Sequence, residues 1–270
     1  MRVSRPLGAA LTRLALVALV VASCQTTGTS LQSPAAGYRP DDSSVPPSPY
    51  AQVRWKAVLL AGDNSIKAFD NAIDDLAVLL QLRGVEVVQR FSADGTRASE
   101  KVALATEVNL RRVTSTWKVA PGEGCLLYAT SHGTIHGIWL ARDSDGGRIL
   151  KPTSLKTMLA AACGDAPTVV VMSGCHTGTF LHKDTVGPNT IMLTAADTYQ
   201  KSFGCRAGRR YTYYDACFLQ EFPRATTWQD LYRRVSGCVD VEERSLREQS
   251  SSPQAFFGRQ MKDLPLPGKN

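Results

Sequence analysis

Apolar residues run along this chain in two alternating rhythms. Short apolar runs occur at Trp55-Lys-Ala-Val-Leu-Leu-Ala-Gly62, Val85-Glu-Val-Val88, Gly124-Cys-Leu-Leu-Tyr-Ala-Thr130, Thr168-Val-Val-Val-Met172 and Thr190-Ile-Met-Leu-Thr194. They are rich in β-branched residues and end in glycine or polar clusters, so they predict strands covered on both faces. Between them the period changes. Ile66, Phe69, Ile73, Leu76 and Leu80 predict a helix ending near Arg83-Gly84, and Val102, Ala105 and Val108 predict one over 98–116. Two more helices are predicted from Pro152 to Ala162 and from Thr227 to Leu246. Gly137-Ile-Trp-Leu140 and Arg148-Ile-Leu150 flank the turn signal Asp143-Ser-Asp-Gly-Gly147 and predict a hairpin. Leu181 to Pro188 reads as a loop, and Gln254-Ala-Phe-Phe257 as a last strand at the sheet edge. Alternation of strand and helix predicts an α/β fold, with a mainly parallel central sheet, right-handed crossovers and helices on both faces.

The chain's ends follow other patterns. Residues 1–23 join a basic start to the run Leu14-Ala-Leu-Val-Ala-Leu-Val-Val-Ala22, too short for a spanning helix, and read as an export signal. Leu19-Val-Val-Ala-Ser-Cys24 resembles the bacterial lipobox, which implies lipidation of Cys24 and a membrane anchor; Gln25 after it leans, by the same resemblance, towards an outer membrane and a periplasmic location. From Gln25 to Pro49 the composition turns to Ser, Thr, Pro, Gly and Gln, so 24–50 is read as a lipidated cysteine and flexible tether, the alternative being an ordered arm packed on the domain. A single domain over 51–258 remains, followed by a tail, 259–270, whose end Leu264-Pro-Leu-Pro-Gly-Lys-Asn270 reads as disordered. The formal charge of +7 includes Arg2, Arg5 and Arg13 of the export segment, and the balance after them is too mild to point to nucleic acid.

Candidate chemistry lies where two strands end. The Thr168 strand stops at Ser173-Gly174 and presents Cys175; the Gly124 strand runs into Ser131-His132-Gly133. In an open α/β sheet, the crevice beyond the carboxyl ends of the strands is where ligands bind. If the two strands pair in parallel, a thiol and an imidazole become neighbours. A thiol attacks a carbonyl only with a lowered pKa or a nearby base, and histidine can take that proton or protonate a departing amine. Backbone N–H groups of Gly133 and Cys175 are placed to hold a developing oxyanion. Gly174 and Gly178 are read as admitting a substrate backbone.

The motifs Tyr128-Ala-Thr-Ser-His-Gly133, Val171-Met-Ser-Gly-Cys-His-Thr-Gly178 and Thr194-Ala-Ala196, with Ser202-Phe-Gly-Cys205 and Tyr211-Thr-Tyr-Tyr-Asp-Ala-Cys-Phe218, resemble the C13 cysteine peptidases. These are related to legumain and belong to the caspase-like group, and the resemblance, closest to the compact bacterial members, runs from roughly Trp55 to Gly258. It implies a caspase-like fold and a cysteine endopeptidase acting on peptide or protein substrates without a cofactor. A transamidase or ligase using the same dyad, or an inactive peptide-binding relative, are the alternatives. It further implies that Asp215 lines the primary specificity pocket and Ser202 a neighbouring part. The family's pocket arginine is missing from the first strand-to-helix turn, Ala68-Phe-Asp-Asn71, and Asn64 matches its asparagine only loosely; Asp70 would there favour a basic or polar side chain.

A metal site built from His132, His136, Cys175 and His176 is a second reading. Its spacing fits zinc poorly, so no metal is expected, and His176 and His182 read as rim residues. Setting aside Cys24 and Cys175 leaves five cysteines, Cys125, Cys163, Cys205, Cys217 and Cys238. Cys125, in a strand, is the expected free thiol, and Cys205 with Cys217 the first of the possible pairings among the other four.

Overall fold

The computed structural model describes residues 37–268 apart from 40, 144, 145 and 207; the export segment and Cys24 lie outside the described residues. Side-chain alternation divides the interior in two. In β1 (Arg54–Ala61), Ala57, Leu59 and Ala61 face one core while Val58 and Leu60 face the other. The same split recurs in β4 (Glu123–Thr130), with Leu126 and Tyr128 against Leu127 and Ala129, and in β8 (Thr168–Ser173), with Val169 and Val171 against Val170 and Met172. A strand buried on both faces needs cover on both, and helices supply it.

On the first face lie α1 (Ala68–Gln81), α4 (Tyr213–Glu221) and α5 (Trp228–Ser245), through Phe69 and Ile73, Tyr214 and Phe218, and Trp228, Leu231 and Val235. On the second lie α2 (Glu107–Thr116) and α3 (Pro152–Cys163), through Leu110, Leu155 and Met158. With β2 (Glu86–Ser92), β3 (Val102–Leu104), β9 (Thr190–Thr194) and β10 (Gln254–Phe257), the sheet has seven strands in the order β10-β9-β8-β4-β1-β2-β3. Every pairing is parallel except that of β10 with β9. The carboxyl ends of β1, β4 and β8 are level, with Ala61 opposite Thr130 and Thr130 opposite Ser173. A small antiparallel sheet of β5 (Gly133–Thr134), β6 (Gly137–Trp139) and β7 (Ile149–Leu150) buries Ile138, Leu140 and Leu150 on the second face.

The expected strands and the hairpin are present, and several expectations change. The helix expected over 98–116 begins only at Glu107, where Thr106 caps it by accepting from the Asn109 N–H; Val102 to Leu104 instead add an edge strand beside β2. The described part of the tail expected to be disordered is packed: Leu264 and Leu266 are buried, and Pro265 bridges to Thr227. The described part of the expected tether is an ordered arm. Tyr38 and Val45 are buried in the first core, and the Lys262 ammonium donates to the carbonyls of Asp42 and Val45, each at 2.6 Å. Tyr38 also gives its N–H to the Phe257 carbonyl, so the arm is tied to the edge strand β10.

The cysteine expectations are overturned. Cys125 is bonded to Cys163 and Cys217 to Cys238, leaving Cys175 and Cys205 as the free thiols among the described residues. Cys125 points to the second face, where the last turn of α3 arrives, while Cys217 lies on α4 against α5. Pairing thus follows helix packing, which spacing along the chain does not encode.

Candidate active site

Three strand ends build the site. Beyond β4, the Ser131 N–H donates to the Ser173 carbonyl at 3.0 Å, so the segments carrying His132 and Cys175 leave the sheet side by side. Gly133 lies against Cys175 so closely that a Cβ there would sit 2.0 Å from the Cys175 carbonyl oxygen. Any side chain at Gly133 would push the two segments apart. Both His132 and Cys175 are half-buried and open to solvent. Cys175 precedes His176, whose φ of 60° is a left-handed conformation uncommon outside glycine. Two bonds hold it there: the His176 N–H donates to the Gln200 carbonyl at 2.8 Å, and Nδ1 meets the Thr198 carbonyl at 3.0 Å. His176 is therefore a structural brace of the cysteine turn.

The Cys175 Sγ–H donates to the Ser202 carbonyl at 3.3 Å, a bond that favours the neutral thiol, and burial pushes the thiol above its ordinary pKa, a rise countered in part by the Lys201 charge. The resting side chain is a neutral thiol, so attack on a carbonyl needs a base. His132 is not hydrogen-bonded to Cys175; its Nε2 meets Ser65 Oγ at 3.2 Å, and Nδ1 has no hydrogen-bond partner among the described residues. Imidazole orientation comes from its surroundings, with Phe69 and Trp139 edge-on at ring-centroid distances of 5.3 and 5.6 Å. Trp139 in turn carries the Arg148 guanidinium 4.4 Å over its ring. Arg148 pairs at 3.3 Å with Asp63, which is buried in the loop after β1 and accepts from the Ser65 N–H at 2.8 Å. One chain of contacts therefore leads from Asp63 through Ser65 and through Arg148 and Trp139 to both sides of the histidine.

The Cys175 N–H has no backbone acceptor among the described residues, leaving it available to an incoming oxygen beside Gly133. Gly174 and Gly178, expected to admit a substrate, instead admit the protein's own backbone. A Cβ at Gly174 would meet the Ser131 carbonyl oxygen at 2.5 Å, and one at Gly178 the Thr198 nitrogen at 2.4 Å. Ser202 is buried and faces the thiol through its carbonyl.

Asp215 is fully buried at the start of α4, where Thr212 caps the helix. Its carboxylate accepts from Tyr128 Oη at 2.5 Å and Thr130 Oγ1 at 2.7 Å, and burial raises its pKa against those bonds. Those oxygens serve β4 in this structure and are closed to solvent. Asp70, assigned by sequence to the same region, is paired with Arg97 and likewise spoken for. No group of three or more His, Cys, Asp or Glu able to hold a metal ion occurs among the described residues.

Ser65, Asp63 and Arg148 were not singled out by sequence. Asn64 is exposed, and the neighbouring Ser65 is the residue that touches the imidazole. The available signal was the loop itself, Gly62-Asp-Asn-Ser65, which follows a buried strand as the other two site segments do.

Comparison with known proteins agrees with this architecture. The model of the peptidase C13 family matches residues 110–250, a span containing both His132 and Cys175. The crystal structure of caspase-1 from Spodoptera frugiperda superposes with a TM-score of 0.58, covering 86% of this chain and 96% of that one at 14% sequence identity. That likeness is one of fold. Among curated proteins no match is found.

Proposed function

The chain belongs to the peptidase C13 family and has a caspase-like fold, and from this we propose that it is an endopeptidase hydrolysing peptide bonds through an acyl-enzyme on Cys175. In the first step the Cys175 sulfur bonds to the scissile carbonyl carbon while its proton passes to His132. The tetrahedral oxygen is held by the N–H groups of Cys175 and Gly133. Collapse breaks the C–N bond, and the imidazolium returns the proton to the departing amine. Water, deprotonated by the same imidazole, then opens the thioester and frees the acid and the thiol.

The observation that carries this reading is the level ending of β4 and β8, which sets the two segments against each other at one solvent-facing edge. The raised thiol pKa favours proton removal during attack over a standing thiolate, a role suited to a histidine with one nitrogen unengaged. A transfer reaction, in which an amine instead of water opens the thioester, is the second reading. The neutral resting thiol and the open edge serve it equally. Two disulfides support an oxidising compartment and hence the export inferred from residues 1–23; the Cys24 anchor rests on the lipobox resemblance alone.

A peptide library incubated with the protein and read by mass tests the proposal. Cleavage that disappears in Cys175→Ala supports it, and cleavage that survives the substitution, or none in either, counts against it. With an added amine acceptor, joined peptides as the main product would replace hydrolysis by transfer.

A further inference from the structure

The sheet edge that carries Cys175 has different surroundings on its two sides. Towards the first face stand Ser202 and the loop leading to α4. Towards the second, a groove of about 660 Å³ runs from Ile135 and Thr179, in the segments that follow His132 and Cys175, to the start of α3. The groove's near end is fixed by Thr179, four residues beyond Cys175, whose hydroxyl donates to the Ile135 carbonyl at 3.0 Å at the tip of the hairpin that follows His132 and Gly133. Its floor is apolar. Ile135 is 50% exposed, and Ile149 and Pro152 continue the surface.

Its rim is cationic. The ammonium of Lys151, immediately before α3, has no ion-pair or hydrogen-bond partner among the described residues, its carbonyl alone accepting from the Leu155 N–H. Lys156 reaches only Asp184, at 4.0 Å with both side chains more than half exposed, and that carboxylate is shared with His182 at 3.2 Å. His136 stands on the same rim. Asp184 is the single acidic side chain among the lining residues, and it is already engaged. On the opposite side of the cysteine, exposed Lys201 is likewise unpaired, whereas Arg206, Arg209 and Arg210 are matched by Glu248, Glu242 and Asp75. Within the groove, the charge without an ion-pair partner is that of Lys151.

Resting on the peptidase reading, we infer that this groove binds one flank of the substrate, an extended segment in which an apolar side chain on Ile135, Ile149 and Pro152 is accompanied by carboxylates facing Lys151 and Lys156. The substrate class is an acidic polypeptide segment next to the scissile bond. Charge complementarity selects the occupant: a lysine-rich segment would meet two cations with one shared carboxylate to offset them. Apolar burial supplies affinity, and the rim supplies discrimination.

The test compares a peptide series varied from acidic to neutral to basic on each side of the cleaved bond, using the full chain and the double variant Lys151→Glu/Lys156→Glu. Both lysines are exposed, so the variant keeps the fold. The wild type is expected to prefer acidic over basic members on one side of the cut. In the variant the ratio of kcat/KM for acidic over basic members falls about tenfold, from the loss and inversion of two solvent-exposed pairings. Cys175-dependent cleavage with no acidic preference, or with a ratio the variant does not move, overturns this inference and leaves the peptidase reading standing. If no Cys175-dependent cleavage occurs, the peptidase reading fails and binding decides the groove separately. Fluorescence polarisation of a labelled acidic peptide with Cys175→Ala should then show binding that the added double substitution weakens about tenfold. Equal binding of acidic and basic peptides there sinks the inference.

Discussion

Cys175 and Cys205 are both thiols near one sheet edge, yet burial treats them unequally. Both are pushed above the ordinary thiol value, Cys205 to about 12, while the Lys201 charge moderates the rise at Cys175. A raised thiol pKa means less thiolate at neutral pH, so the rate of Cys175 alkylation by iodoacetamide should keep climbing above pH of about 8.5. Peptide mapping should find Cys205 lagging throughout; a Cys175 rate that levels off below neutral pH would show a standing thiolate. Asp215 gives a second residue-scale test. Asp215→Ala leaves Tyr128 Oη and Thr130 Oγ1 buried without their acceptor, which should cost about 2–4 kcal/mol in urea unfolding. Because burial raises the folded pKa of Asp215, the wild type gives up part of this advantage as pH rises above about 4, so the variant's deficit should be largest in acid. Unchanged stability with altered cleavage specificity would mean instead that the carboxylate is a pocket floor open to substrate. At this scale His132 and Cys175 were legible, because a buried strand ending in a reactive side chain is a local pattern. Ser65, Asp63 and Arg148 were not, since Ser65 meets the histidine, and Asp63 and Arg148 stand behind its neighbours, only after three distant segments have folded together.

Elements were legible where their period was strong and their cover complete. Strands β1, β4, β8 and β9 read directly from apolar runs, being buried throughout or nearly so. The α4 segment did not: it is short and its apolar residues are spread around it, so only the Thr212 cap marks its start. The 98–116 stretch misled for a related reason, because Val102, Ala105 and Val108 fit a helical period although Val102 pairs at the sheet edge and Val108 is 58% exposed. Disulfides join elements whose contact depends on packing. The Cys217–Cys238 bond ties α4 to α5 across 21 residues, and Cys125–Cys163 ties β4 to α3 across 38. Removing either pair by alanine should cost about 3–4 kcal/mol on loop-closure grounds. Thermal or urea unfolding of each double variant under non-reducing conditions checks this. A loss well under 1 kcal/mol for both would mean that the folded chain does not depend on these links.

At the largest scale, the described residues form an α/β body whose arm from residue 37 and C-terminal segment both pack on the first core. Lys262 grips the arm through two carbonyls, and Tyr38, Val45, Leu264 and Leu266 complete the apolar contact. Low apolar content and prolines made both segments read as unstructured, since a few anchoring side chains in a polar stretch leave no periodic signal. A chain beginning at residue 51 should therefore be less stable than one beginning at residue 37 by about 3–5 kcal/mol, the burial lost at Tyr38 and Val45. Equal unfolding midpoints for the two would return the arm to the status of a tether. The fold class and the meeting of His132 with Cys175 at one edge rest on parallel pairing of β4 with β8, and the proposed chemistry rests on that edge. It is tested most directly by acid-quenching the protein during turnover of a cleaved peptide and weighing the Cys175-containing fragment. The account predicts a fragment heavier by the acyl half of the substrate, absent in Cys175→Ala and accumulating to a different level in His132→Ala. Peptide cleavage proceeding with Cys175 unmodified at every quench time, and undiminished in Cys175→Ala, would contradict it.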